Sequence, residues 1–546
     1  MKKVLIIGSG ISGLSCAIQS AALGLHVILA APFPSERAQS VMAAGGINAA
    51  LDTKGENDSA ALHAEDTLRG GCFIAGREEV YRLCQAAPEV IGWLEQMGMV
   101  FTRDPEGRID LRAFGGQSRR RTAFSGACTG KQIVTALVGQ ARRYECGGLI
   151  ERRLGLYFYS GLIHEGRCQG ALFYNERTGK LEAVAADAVV MAVGGQNQVF
   201  GKTTGSMLCD GYAHGKLFEQ GVDLKNLEFI QYHPTTVETP MKRMLITEGA
   251  RGEGGRLYYL EGDRRVYFME DKFGEKGNLM PRDIVSKCIY DAPSQVYLDI
   301  TFLGEKKIRE RLLEVYELCR DYLGLDVTRQ PIPVYPSVHF FMGGFAVDEE
   351  HRTNIRNLYA VGECASIYHG ANRLGGNSLL AAVYGGRTAA RHIAGTESTE
   401  KREDFRSYVA EQEAEMQRQL RTGSQFPAVY LRQGLARMMN EDLGITRRED
   451  KLLEGLDSVD YDLSVVDKLN LDTSVSFYQA YSLRGMLVLS RAILKSALLR
   501  RESRGAHIRE DYPETREEFA SPSIIHYDGG KYTVEYPGGG CHDRKD

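Results

Sequence analysis

The residues that most directly promise chemistry stand at the start of the chain. Gly8-Ser9-Gly10-Ile11-Ser12-Gly13 follows the short apolar run Lys3-Val4-Leu5-Ile6-Ile7. In a strand, glycine turn and helix, each glycine has its own task. Gly8 permits the tight turn, Gly10 lets a pyrophosphate approach the backbone, and Gly13 lets the helix pack on the strand. That is the chemistry of dinucleotide binding. The acidic residue that usually grips the ribose about 20 residues further on is missing, because the next β-like run ends in Leu29-Ala30-Ala31-Pro32. Either the ribose is held by other means, or the glycines turn the chain in some other parallel sheet. Charged groups and imidazoles follow in Pro- or Gly-flanked motifs: His233-Pro234-Thr235, Thr247-Glu248-Gly249-Ala250-Arg251, Pro281-Arg282-Asp283, His339 and Asn372-Arg373. By residue type alone, Arg282 reads as an anion clamp, since a guanidinium stays protonated at any ordinary pH. Glu248 and Arg251, at i,i+3 spacing, read equally as a structural ion pair. A lone histidine is usually a satisfied core or surface group, so His63, His214 and His526 receive no role.

These motifs need a scaffold, and the sequence implies an α/β one. A helical pattern from Leu14 to about Leu23 and a β-like run at His26–Ala30 complete the first unit of a doubly wound fold. Ala188–Gly195 and Leu358–Glu363 read as further strands of the same sheet, each running into glycine. The fold is therefore assembled from both ends of the chain, with residues 1–225 and 346–396 as the nucleotide-binding domain and 226–345 inserted between them. Residues 397–508 read as a charged helical domain, with helices at Asp404–Leu420 and Gln479–Arg500, and residues 509–546 as an extended tail packed on something else.

Composition narrows the function classes. The chain has 546 residues, with 67 Lys+Arg against 71 Asp+Glu and a formal charge of −4. No basic tail or run supports nucleic-acid binding. The longest apolar stretches, such as Val184–Gly195 and Met486–Leu499, fall short of the roughly 20 residues that span a bilayer. Gly8, Gly10 and Gly13 interrupt what would otherwise resemble a signal peptide, so residues 1–30 read as mature, cytoplasmic structure. The 11 cysteines contain no C-x-x-C pair, so neither a zinc site nor an iron–sulfur cluster is expected, and the thiols should be reduced. Glycine is abundant, at 61 residues, as a chain wrapped closely around a cofactor requires.

Read together, the motifs carry a resemblance. Met42–Ala50, Phe114-Gly115-Gly116-Gln117-Ser118, His233-Pro234-Thr235, Thr247–Gly255, Pro281-Arg282-Asp283, His339–Gly344, His369–Leu380 and Glu502–His507 resemble the flavoprotein subunit of succinate dehydrogenase and fumarate reductase. The resemblance runs from residue 1 to about 513; L-aspartate oxidase and the soluble fumarate reductases share the superfamily. It implies a Rossmann-like FAD-binding domain with an inserted α+β capping domain and a C-terminal helical domain. It further implies hydride transfer between flavin N5 and a C4 dicarboxylate. Arg373 would pair with one carboxylate, shared by His339, and His233 and Thr247 would hold the other. Arg282 matches the proton donor, and Glu248 with Arg251 the relay toward solvent. Phe114 would cap the substrate or fill core. Flavin contacts would come from Gly8, Ser9, Gly10 and Gly13 on the pyrophosphate, Ser40, Gly45 and Gly46 near the ring and ribityl chain, and Asp210, Glu363, Ser378 and Leu379 elsewhere. No metal ligand is implied.

The departures are informative. Membrane-bound members tether flavin to a His in a Ser-His-Thr run, where this chain has Ala38-Gln39-Ser40. Non-covalent FAD and the reducing direction are therefore expected. L-aspartate oxidase is the rival: its pattern places Met-Ala-Ser where this chain has Leu374-Gly375-Gly376, and a Cys where Met342 stands, whereas the short Gln117–Gly130 connection looks oxidase-like. A catalytically dead carrier flavoprotein is disfavoured, because all six polar residues from His233 to Arg373 are present. Electrons must come from elsewhere, either an iron–sulfur partner subunit or a diffusible donor. Such a partner would allow a peripheral position at the inner membrane.

Overall fold

A computed structural model describes residues 1–126, 128–240, 242–397, 403–421, 426–470 and 477–537. At its centre five parallel strands lie in the order Leu358–Ala360, Ala188–Met191, Lys3–Ile7, His26–Ala31 and Ile150–Leu154. Both late segments thus join the sheet begun at the N-terminus, and each strand stops where its glycine turn begins. Val4, Leu5 and Ile6 are fully buried, as continuous apolar runs in parallel sheets are when helices cover both faces. The helices Ile11–Ala22 and Asn377–Gly395 cross in close contact: a Cβ on Gly386 would lie 2.4 Å from the Ser12 carbonyl oxygen.

The segment between the second and last parts of this sheet builds a second body. Its six-stranded sheet runs Arg243–Leu245, Ile230–Glu238, Ile332–Phe341, Val296–Asp299, Arg256–Glu261 and Arg264–Val266. A separate core, including Leu257, Val285, Leu298, Ile308 and Val334, holds it. The two long central strands are antiparallel and twice lose register, between Gln231 and Tyr232 and between His233 and Thr236. At the first shift Gln231 faces Phe340 and Tyr232 faces Val338, leaving His339 as the extra residue of a bulge. At the second, Pro234 has no N–H to give the ladder.

The C-terminal region contains helices Arg406–Arg421, Ala428–Asp442, Glu449–Val465 and Phe477–Leu499. The last is buried along most of its length and crosses the Tyr212–Glu219 helix where Gly215 meets Gly485; a Cβ on Gly215 would sit 1.9 Å from the Gly485 oxygen. The tail is not simply extended. Ile524–Asp528 and Lys531–Glu535 form a hairpin that joins Leu224–Lys225, Gly344–Ala346 and Ala365–Ser366 in one five-stranded sheet. This sheet covers the place where the chain leaves and re-enters the flavin domain. Beneath it the fully buried Arg500 binds Glu228 at 2.6 Å and Glu502 at 2.9 Å, and donates to the carbonyls of Phe519 and Ser521. The Glu502–His507 motif is therefore a buried ionic knot fastening tail, helices and cap base together.

Candidate active site

Between the parallel sheet and the second body lies a cavity of about 470 Å³. One end is built largely of backbone. Gly10 caps the helix Ile11–Ala22 without any side-chain cap, and a Cβ there would meet only Ser40 Oγ and Ala38 Cβ within 4 Å. Ser40 Oγ accepts a hydrogen bond from the Ile11 amide at 3.2 Å, at the spot where an anion would bind. Gly8 takes φ +109°, with Ala192 directly behind it. Gly13 does not face the cavity: its absent Cβ would lie 2.0 Å from the Gly8 oxygen, so its task is packing and not contact with the pyrophosphate. A second helix, Asn377–Gly395, opens on the same cavity after Gly376 (φ +86°), bringing Ser378 and Leu379 to the wall. Ser9, Gly45, Gly46, Asp210 and Glu363 also line it.

Asp210 accepts from the Tyr212 amide at 3.0 Å and from the Tyr478 hydroxyl. Burial pushes Glu363 up to about 7, against the Phe341 N–H and the Arg373 charge, which favour its ionised form. Gln39 also lines the cavity, with Oε1 buried and unpartnered. Two helix N-termini with glycine at the N-cap and an open glycine face fit a long, doubly anionic nucleotide cofactor. Pro32 and Phe33 occupy the wall where a strand-end acid would have stood.

The other end is built of side chains. Arg282, first residue of the helix Arg282–Tyr290, donates twice to Glu248 Oε2, from Nη2 at 2.7 Å and from Nε at 2.9 Å. Glu248 Oε1 accepts from the Gly115 amide at 2.7 Å and lies 3.7 Å from Arg251 Nη2. Arg251 instead donates to the Asn278 carbonyl, leaving Nε and Nη2 buried without hydrogen bonds. The tight pair is thus Glu248–Arg282, and Arg251 stands behind it, off the cavity wall. Burial alone would raise the Glu248 pKa, but Arg282, Arg251 and the Gly115 amide together hold it below the usual carboxylate value.

Gln231, which received no role from the sequence, is the hub. Its Oε1 accepts from Arg282 Nη1 at 3.2 Å and from Arg373 Nη2 at 3.0 Å, and its amide group donates to Asn372 Oδ1 and the Arg373 carbonyl. Two guanidinium groups therefore converge on one oxygen. The only local mark of Gln231 is that residues 231 and 233 share one face of a strand, which does not reveal the contacts it makes across the fold. Arg373 Nε is buried without a partner, and its guanidinium lies 4.2 Å from the Phe340 ring centre. Burial and the neighbouring Arg282 push its pKa well below the usual arginine value.

The imidazoles of His233 and His339 meet edge to face at 5.2 Å. Burial and the nearby arginines hold both far below the ordinary histidine pKa, so both are neutral. His233 Nδ1 lies 3.1 Å from the Thr235 carbonyl oxygen and 3.2 Å from the Thr235 amide, and its Nε2 is buried with no partner. His339 Nδ1 pairs with Thr204 Oγ1 at 2.8 Å, a second contact that the sequence does not signal. Thr247 and Phe114 are both on the wall, with Phe114 wedged between Gly45 and Gly375; a Cβ on either would come within 3.1 Å of its ring. Arg373, His233 and Thr247 thus share one end of the cavity, with Arg373 Nε and His233 Nε2 buried and unpartnered, a set suited to a small polyanion.

Of the histidines given no role, His63 pairs with Asn377 at 2.9 Å and His526 with Asp223 at 2.7 Å, whereas His214 stacks on Phe345 and lines the cavity. All ten described cysteines are free.

A nucleotide cradle facing a cationic pocket under an inserted cap defines an FAD-dependent oxidoreductase, and the FAD binding domain family matches residues 3–379. The fumarate reductase flavoprotein C-terminal family matches residues 432–542. The chain belongs to the succinate dehydrogenase and fumarate reductase flavoprotein family. It is 37% identical to the succinate dehydrogenase flavoprotein subunit of Bacillus subtilis, over 94% of this chain and 92% of that protein. It is 33% identical to the fumarate reductase flavoprotein subunit of a Serratia species, over 93% of this chain and 88% of that protein. The FrdA chain of E. coli quinol fumarate reductase superposes with a TM-score of 0.90 at 30% identity, covering 98% of this chain and 97% of that one.

Proposed function

We propose that this flavoprotein interconverts fumarate and succinate and works in the reducing direction. FAD, held by the glycine turn and the two helix N-termini, supplies or accepts the hydride at N5 when bound. The chain's own residues do the rest. Arg373 grips one carboxylate through a planar fork, beside His339. His233, in its Nε2–H tautomer, and the Thr247 hydroxyl hold the other. Gripping both ends polarises the double bond and fixes the position of its carbons in the pocket. Arg282 donates the proton to the second carbon, and Glu248 with Arg251 restores it from solvent. A protonated arginine is a poor acid, yet a developing carbanion is a strong base, and Glu248, hydrogen-bonded to Arg282 twice, is placed to stabilise the guanidinium as it recovers its proton. The cap closes over this pocket and excludes water.

The observation that carries this reading is the Arg282–Glu248 pair, two hydrogen bonds on one carboxylate oxygen, joined through Gln231 to Arg373. L-aspartate oxidase is the weaker reading on steric grounds. Its Met-Ala-Ser pattern would place a Cβ at position 375 only 3.1 Å from Glu248 Oε2 and Phe114, and one at position 376 about 2.0 Å from Asn48 Oδ1. Assaying fumarate, succinate and L-aspartate side by side tests the proposal: fumarate reduction should exceed the other two, and oxidation of L-aspartate as the main activity would overturn it.

Gln39 at the tether position supports non-covalent FAD. Acid precipitation of the holoprotein should leave the flavin in the supernatant, whereas flavin in the pellet would contradict this. Among the described residues no cluster of His, Cys, Asp and Glu could hold a metal, and no helix is long and apolar enough to cross a membrane. Electrons reach the flavin from a separate carrier, most simply an iron–sulfur partner subunit that also sets any attachment to a membrane.

A further inference from the structure

The cavity does not end at the dicarboxylate groups. Its mouth is the part of the wall that reaches solvent, where Lys131 and Met42 are exposed and Lys242, Arg243, Met244 and Leu318 half-buried. Each of these cations is placed at a cost. Lys131 is the third residue of the helix Thr129–Cys146, whose first turn holds no acidic residue, so its charge opposes the helix dipole. Lys242 is partly buried, its pKa pushed down by that burial, and no carboxylate among the described residues lies within ion-pair distance of it or of Lys131. Arg243 binds Glu238 through Nη2 at 3.2 Å, but its Nη1 is buried without a partner.

The opposing charges are few. Glu238 is shared with Lys202 at 3.6 Å. Glu314 lines the mouth, but burial raises its pKa and it faces Arg112 from the flavin domain. The mouth is therefore positive between apolar walls, a setting that concentrates field lines. The chain as a whole carries −4, which repels a dianion at long range. Attraction must then be local.

We propose that Lys131, Lys242 and Arg243 form a capture site that draws the dianionic C4 acid into the mouth and passes it inward to Arg373 and Arg282. This rests on the dicarboxylate reading above. The capture site touches the substrate in transit and takes no part in the chemical step, so it should govern kcat/KM and its salt dependence while leaving kcat nearly alone.

The test is the Lys131→Met/Lys242→Met double variant, assayed for fumarate reduction by reduced viologen at about 10 mM and about 300 mM ionic strength. In the wild type kcat/KM should fall several-fold with salt. In the double variant it should start about tenfold lower at low salt and barely respond to salt, with kcat within about twofold and flavin content unchanged. A double variant that keeps the wild-type value and salt slope overturns the capture site while leaving the function intact. Succinate affinity by calorimetry repeats the comparison without turnover. A wild type that neither binds succinate nor reduces fumarate overturns the dicarboxylate reading itself.

Discussion

The two ends of the cavity are built on opposite plans. The flavin end is made of turns, helix N-termini and missing Cβ atoms, and its donors are backbone amides contributed by segments as distant as Gly10 and Ser378. The substrate end is made of long charged side chains that hold one another: Arg282 on Glu248, both guanidinium groups on Gln231, and Gln231 on Asn372. A backbone cradle tolerates the loss of any one side chain. A side-chain network does not, because each buried partner left alone keeps its full desolvation cost. Damage at the substrate end should therefore cost turnover and spare flavin.

The largest effect belongs to Arg282→Met. It removes the group proposed to donate the proton and strands the buried Glu248. Fumarate reduction should fall by at least about a thousandfold, with flavin content close to wild type and the melting temperature lowered by the stranded carboxylate. Near-normal turnover would remove Arg282 from the chemistry, and lost flavin would mean the two ends are not independent. Gln231→Leu comes next. It leaves Nη groups of Arg282 and Arg373 without their shared acceptor, a loss of about 1.5–3 kcal/mol for a charge-assisted bond, or roughly 10- to 100-fold in kcat/KM. Flavin should again be retained, and Gln231→Glu, which restores an acceptor but adds charge, should recover only part of the activity.

The same contrast explains what could be read from the sequence. Glycine turns announce themselves locally, so Gly8, Gly10, Gly376 and the parallel strands around them are visible as short patterns, and the late strands at Ala188 and Leu358 follow from the same rule. Most side chains at the substrate end surface only through the family's arrangement of motifs, because nothing local tells a buried Arg282 from a surface one. Gln231 and Thr204 stay hidden because their importance lies in what they touch across the fold. The bulge that turns His339 out of the ladder depends on register against a strand about a hundred residues away, beyond any local pattern. The tail hairpin escapes for a different reason: its strands are short and the strand it pairs with, Leu224–Lys225, is shorter still.

The flavin end has one charged side chain whose behaviour can break the comparison. Glu363 is fully buried, and burial lifts its pKa from the ordinary 4.5 to about 7. The folded protein therefore keeps a proton that the unfolded chain gives up between those values. Wherever the folded state binds more protons than the unfolded one, stability falls as pH rises. The flavin-free protein should accordingly lose stability from about pH 4.5 up to pH 7 and no more from this group beyond it, a total of roughly 3 kcal/mol. Glu363→Gln keeps the shape and cannot ionise, so melting temperatures measured across that interval should decline less than in the wild type. Equal slopes would mean that Glu363 is ionised in the fold, paired with the Arg373 charge. In that case the two ends of the cavity would be electrostatically one site, and the sparing of flavin expected for Arg282→Met would fail with it.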